Sequence, residues 1–105
     1  METLNISSFE QFLKIYSPKN KFYTSVEEIE LVETKLGIKD KTSNELEALR
    51  NAVVRYYTEL LDGEVIYNEN GEYAGRTEKY WVYMDALQSV TAVIDKNIYN
   101  ITLNI

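Results

Sequence analysis

The 105-residue chain contains no cysteine and no histidine, and only one proline and one tryptophan. Without cysteine there can be no disulfide, thiolate metal site or sulfur nucleophile. Without histidine the commonest metal ligand and the usual general base near neutral pH are gone. These absences remove most familiar active sites, and the expectation is a non-enzymatic chain with no catalytic residues, no metal and no cofactor. Apolar runs fall well short of the ~18 residues that a membrane span needs, and Met1 to Ser8 lacks the basic segment of a secretory leader. A single compact domain in the cytoplasm, with no membrane contact, is expected over residues 1–105.

What the chain does have is acid, tyrosine and helical periodicity. Seventeen Asp and Glu face eleven Lys and Arg, giving a formal charge of −6, and nine residues are tyrosine. Nucleic-acid binding relies on Lys and Arg displacing counterions from phosphates. Here the basic residues Lys35, Lys39, Lys41 and Arg50 are interleaved with Asp40, Glu45 and Glu47. Direct nucleic-acid binding is therefore not expected. A helix-turn-helix regulator built on the second helix and the start of the third is the DNA-binding alternative. Its link, Gly37 to Lys41, is longer than the usual turn, and Asn44, Glu45 and Glu47 open the helix that would have to approach phosphates.

Periodicity predicts the architecture. Phe9, Phe12, Leu13 and Tyr16 mark a short first helix entered through Ser7 or Ser8 and stopped by Pro18. In the link Lys19 to Thr24, Phe22 and Tyr23 are expected on the core. Ser25 with Glu28 reads as a capping box for a second helix carrying Val26, Ile29, Val32 and Leu36, closed by Gly37 and Ile38. Thr42 with Glu45 repeats that logic for a third helix through Leu46, Leu49, Val53, Tyr56 and Leu60 to Asp62. Thr77 opens a fourth, to Asp95, with Tyr80, Met84, Leu87, Thr91 and Ile94 at spacings of four and three. Between the long helices, Asn70-Gly71 flanked by Val65, Ile66, Tyr67, Tyr73 and Ala74 signals a β-hairpin. From Asn97 onward Tyr99, Ile101, Leu103 and Ile105 alternate with polar residues, which predicts an extended segment. The tetrapeptide Thr-Leu-Asn-Ile at positions 3–6 recurs at 102–105, so pairing of terminal strands is a further expectation. The predicted fold is mainly α: two long antiparallel helices packed with two shorter ones, a small hairpin between the long pair and an extended C-terminal segment, with α+β as the alternative.

Two loop motifs fail on spacing. Gly71 to Thr77 has three residues rather than four between its glycines, and an arginine where a phosphate-binding loop needs lysine. As a calcium loop, Gly71 at the sixth position would put Ile66 at the first ligand and Thr77 at the bidentate glutamate.

The fourth helix carries an apolar arc of about half its circumference, where one core needs little more than ~100°. Val82, Ala86 and Val93 lie on the surplus side and are expected to support self-association into a homo-oligomer. Trp81 sits on the polar side and is expected to be solvent-exposed; with Tyr67 and Tyr73 it forms a candidate partner-binding set. Glu59, Asp62, Glu64, Glu69 and Glu72 run without an intervening base beside these rings. A protein partner is the leading expectation. In general composition the chain is similar to phage and mobile-element inhibitors of restriction or CRISPR systems, which implies, as an alternative, that Glu64, Glu69 and Glu72 mimic phosphates toward a nucleic-acid enzyme.

Overall fold

The computed structural model describes residues 2–19 and 24–103, with side chains from Phe9 onward; Phe22, Tyr23 and Ile105 lie outside the described residues. The chain is mainly α, with α1 (Glu2–Ile15), α2 (Val26–Leu36), a 3-10 turn (Ile38–Asp40), α3 (Ser43–Asp62), β1 (Val65–Tyr67), β2 (Tyr73–Arg76) and α4 (Glu78–Leu103) in order. At ~1.5 Å per residue α3 and α4 are about 30 and 39 Å long. They run antiparallel, joined by the hairpin at one end and tied near the other by Arg50 Nε donating to Asp95 Oδ1 at 2.7 Å.

The caps follow from local chemistry. Thr42 Oγ1 accepts from the Glu45 amide at 3.2 Å while the Glu45 carboxylate accepts from the Thr42 amide at 2.9 Å, so two orphan donors are satisfied together. These bonds hold the Glu45 carboxyl below its usual pKa. Gly37 takes the left-handed conformation at φ 62°, directs its N–H to the carbonyls of Glu33 and Thr34, and delivers Ile38 into the core. The expected box at Ser25 is only half formed. Its hydroxyl accepts from the Glu28 amide at 3.3 Å, but the Glu28 carboxylate turns away to accept from Lys19 N–H at 2.7 Å. That amide follows Pro18, where the chain leaves α1, and it gives the buried Glu28 carboxylate a main-chain donor.

The core lies between α3 and α4 and under the two N-terminal helices. Leu46, Val53, Tyr57 and Leu61 of α3 meet Tyr83, Ala86, Val90, Val93 and Ile94 of α4, while Leu13, Tyr16, Val32 and Leu36 close the remaining side. Polar contacts stitch the layers: Tyr16 Oη to Ser89 Oγ at 2.8 Å, Thr24 Oγ1 to the same Ser89 Oγ at 3.1 Å, and Asn97 Nδ2 donating to Glu33 Oε2 at 2.8 Å. The wide apolar arc of α4 thus serves two surfaces of one chain, α3 on one side and the α1–α2 layer on the other.

Four expectations are corrected. Ala86 and Val93 are buried in the subunit's own core, and of the proposed self-association set only Val82 remains exposed. The C-terminal segment is helical through Leu103, because Ile94, Ile98 and Ile101 recur at helical spacing and pack on the core, leaving Tyr99 and Leu103 exposed. Helix α1 starts at Glu2, running through Ser7 and Ser8, whose helix cost is only about half a kcal/mol. Thr3–Ile6 and Thr102–Leu103 are accordingly helical and do not pair as strands.

The radius of gyration is 15.4 Å, against ~13 Å for a compact chain of this length, and the extents are 54 × 37 × 22 Å. The molecule is elongated, with the hairpin standing beyond the end of the long pair.

Candidate partner-binding face

The hairpin is built from its turn outward. Asn68 C=O accepts from Gly71 N–H at 3.0 Å, and Asn68 Oδ1 accepts from the amides of Asn70 and Glu72, each at 2.9 Å. Asn68 N–H donates to Glu72 C=O at 2.9 Å, closing a three-residue loop over Glu69–Gly71 with Gly71 at φ 79°. Glycine is needed there because an L side chain is strained at that φ.

A bulge then sets which side chains share a face. Tyr67 pairs with Tyr73, Ile66 with Gly75 and Val65 with Arg76, the register shifting between Ile66 and Tyr67. Val65 and Tyr67 are two apart and point the same way. Their partners Arg76 and Tyr73 are three apart, and in a regular strand they would point opposite ways. The extra residue in β2 returns both to one face, with Gly75 absorbing the kink at φ 135°.

The base of the hairpin is locked to α4. Thr77 N–H donates to Glu64 C=O at 3.0 Å, and Thr77 Oγ1 donates to Glu64 Oε1 at 2.6 Å while accepting from Tyr80 N–H at 3.4 Å. Glu64 is therefore a structural clamp, and of the predicted acids Glu69 and Glu72 are the ones left exposed.

This lock aims Arg76 into a cluster of rings. Its guanidinium carbon lies 4.6 Å from the Tyr80 ring centroid, 5.5 Å from Trp81 and 5.6 Å from Tyr73, all within cation–π range. Tyr80 and Trp81 meet edge-on at 5.1 Å. Among the described residues Arg76 has no ion pair and no side-chain hydrogen bond, so its donor edge is open. Tyr67, Tyr73 and Trp81 are 61%, 59% and 53% exposed. The contrast with Tyr57 and Tyr83, buried in the core of the same chain, is sharp. Ile66 points to the opposite hairpin face and, like Val82, is also exposed.

Periodicity does not single out Arg76. Its place depends on the bulge, which has only the Ala74-Gly75 pair as a signal. Other constellations resolve into internal contacts. The basic grouping is split, with Lys39 at 3.7 Å from Glu33 and Arg50 paired to Asp95. A cavity of about 390 Å³ beside Gly37 gathers Glu30, Glu33 and Asp40, but Glu33 is already held by Lys39 and Asn97. Among the described residues no group of three acids is placed to hold a metal ion, and no helix is long and apolar enough to cross a membrane. In comparisons with known proteins, no family model, curated protein or solved structure matches this chain.

Proposed function

We propose that the protein is a non-enzymatic protein-interaction module whose working surface is the face formed by Tyr67, Tyr73, Arg76 and Trp81. The observation that carries this is that Arg76, with an open donor edge, lies over the rings of Tyr73 and Trp81, each more than half exposed, while Tyr67, exposed to the same degree, pairs with Tyr73 across the hairpin. Tyr, Trp and Arg are the residues that dominate binding energy at protein interfaces, since each offers a large rigid contact area at low entropic cost. A hairpin fixed at its base by Glu64 and Thr77 presents these groups already ordered, which lowers the cost of association.

A photocross-linking amino acid at position 67 tests it in the native cell, with position 51 on the exposed side of α3 as control. Adducts of discrete mass from position 67, absent from position 51 and lost with Trp81→Ala, are expected. Equal adducts from both positions would reject the proposal.

A second reading is favoured by the acids bordering this face. Glu59, Asp62, Glu69 and Glu72 are exposed and have no ion pair among the described residues. Such a row suits a mimic of phosphates aimed at a nucleic-acid enzyme, as an inhibitor of anti-restriction or anti-CRISPR type would need. It requires that reversing Glu69 and Glu72 abolish capture of a basic partner while Trp81→Ala leaves capture unchanged. The aromatic reading requires the opposite dependence.

A further inference from the structure

We propose that Asn70 is a site of spontaneous covalent modification, in which the main-chain nitrogen of Gly71 attacks the Asn70 side-chain amide and the Asn68 side chain restrains the rate. Of the chain's asparagines, only Asn70 precedes a glycine. It stands at the exposed tip of the hairpin, and among the described residues its side chain makes no hydrogen bond. Any other residue at position 71 would put a Cβ beside the approaching nitrogen. Glycine has none, and the point where a Cβ would stand has nothing within 4 Å, so a five-membered ring has room to close.

The chemistry needs only water and hydroxide. Hydroxide takes the proton of Gly71 N–H, and the nitrogen then bonds to Asn70 Cγ. The Cγ–Nδ2 bond breaks, and Nδ2 leaves as ammonia with a proton from water, which restores the hydroxide. Water next adds to one of the two carbonyls of the cyclic imide. Opening the bond from nitrogen to Cγ gives aspartate; opening the bond from nitrogen to the main-chain carbonyl carbon gives isoaspartate, whose main chain runs through Cβ and Cγ. Either product adds one negative charge between Glu69 and Glu72 to a chain of formal charge −6. Isoaspartate also lengthens the loop by a methylene and moves Gly71 N–H away from Asn68 C=O.

The turn holds the reacting nitrogen back. Gly71 N–H donates to Asn68 C=O at 3.0 Å, while Asn68 Oδ1 accepts from the amides on either side, those of Asn70 and Glu72, each at 2.9 Å. One residue thus fixes three consecutive amides. The Gly71 nitrogen is free to lose its proton and reach Cγ only when the turn opens, so the rate follows that local opening. Competing positions are worse placed. Asn44, Asn51, Asn97 and Asn100 lie in α3 or α4, where the next amide is already engaged, and Asn68 precedes Glu69, whose side chain crowds the approach.

Incubation of the full chain at mildly alkaline pH, where more of the amide nitrogen is deprotonated, tests the inference. Tryptic peptide 56–76 carries both Asn68 and Asn70, and fragmentation in the mass spectrometer assigns the site and separates aspartate from isoaspartate. Conversion at Asn70 ahead of every other asparagine is expected, with both products present. Asn68→Ala should speed it about fivefold, the factor that one net hydrogen bond makes in a local opening equilibrium. Asn68→Asp keeps an acceptor oxygen and should stay near the parent rate, whereas the parent unfolded in urea should react at least as fast as Asn68→Ala. An Asn70 that stays intact while another asparagine reacts overturns the site. Equal rates in the parent and Asn68→Ala, or an Asn68→Asp as fast as Asn68→Ala, overturn the restraint by the Asn68 side chain.

Discussion

The buried hydroxyl of Tyr57 donates to the main-chain oxygen of Leu13 at 2.7 Å, joining the C-terminal half of α3 to the last turn of α1. Pro18 stops α1, so the final carbonyls of that helix lack internal partners, and a core tyrosine supplies one of them. Tyr57 is fully buried, as is Leu13. The contact is the principal polar tie between the N-terminal helix and the long pair.

Tyr57→Phe keeps the ring and removes the donor, leaving a buried acceptor unpaired. We expect a loss of about 1–3 kcal/mol in urea unfolding, with α1 amides losing hydrogen-exchange protection first. Unchanged stability would show that water or another donor reaches the Leu13 oxygen.

Alkaline pH should destabilise the fold. Burial raises the Tyr57 phenol above its ordinary value of 10.0, and burial raises Tyr16 against the lowering effect of its Ser89 hydrogen bond. Above about pH 10 the unfolded chain loses protons that the folded chain keeps, so stability is full below that pH and falls as pH rises past it. Melting temperature followed from pH 8 to 12 should decline beyond pH 10. The decline should be shallower in Tyr57→Phe.

The helical C-terminus predicts an asymmetry between neighbouring residues. Ile101 packs on the core and Tyr99 does not, although an extended segment would place both on one side. Ile101→Asp should cost about 2–4 kcal/mol, as an unpaired charge at a packed site, whereas Tyr99→Asp should stay within about half a kcal/mol. Equal costs in thermal denaturation would favour the extended form.

Gly75→Ala probes the bulge. At φ 135° an alanine is strained, although open space surrounds the position. The hairpin should straighten or fray, releasing Arg76 from the rings, while the core between α3 and α4 is untouched. The expected result is a changed Trp81 emission spectrum with a melting temperature within a few degrees of the parent, a shift worth about 1 kcal/mol or less.

Elements fixed by neighbouring residues are legible in the amino-acid order. The Thr42–Glu45 box, the Gly37 stop and the Asn70-Gly71 hairpin each depend on chemistry within a few positions. The tail is not, because the alternating set and the helical set share Ile101, and packing on a formed helix decides between them. Ala86 and Val93 show the same limit: a helical wheel locates apolar residues but not whichever element covers them. Trp81, Tyr67 and Tyr73 are legible as aromatic residues on polar faces. Arg76 joins them only through a register shift that neither periodicity nor composition encodes.

The most direct measurement is quenching by acrylamide of the chain's single tryptophan, Trp81. In the chain alone the ring should be open to the quencher, consistent with 53% exposure, and access should fall when the partner captured through position 67 is added. In Arg76→Glu it should remain open with that partner present. Access that the captured partner leaves unchanged in the parent would contradict a binding face centred on Arg76 and Trp81.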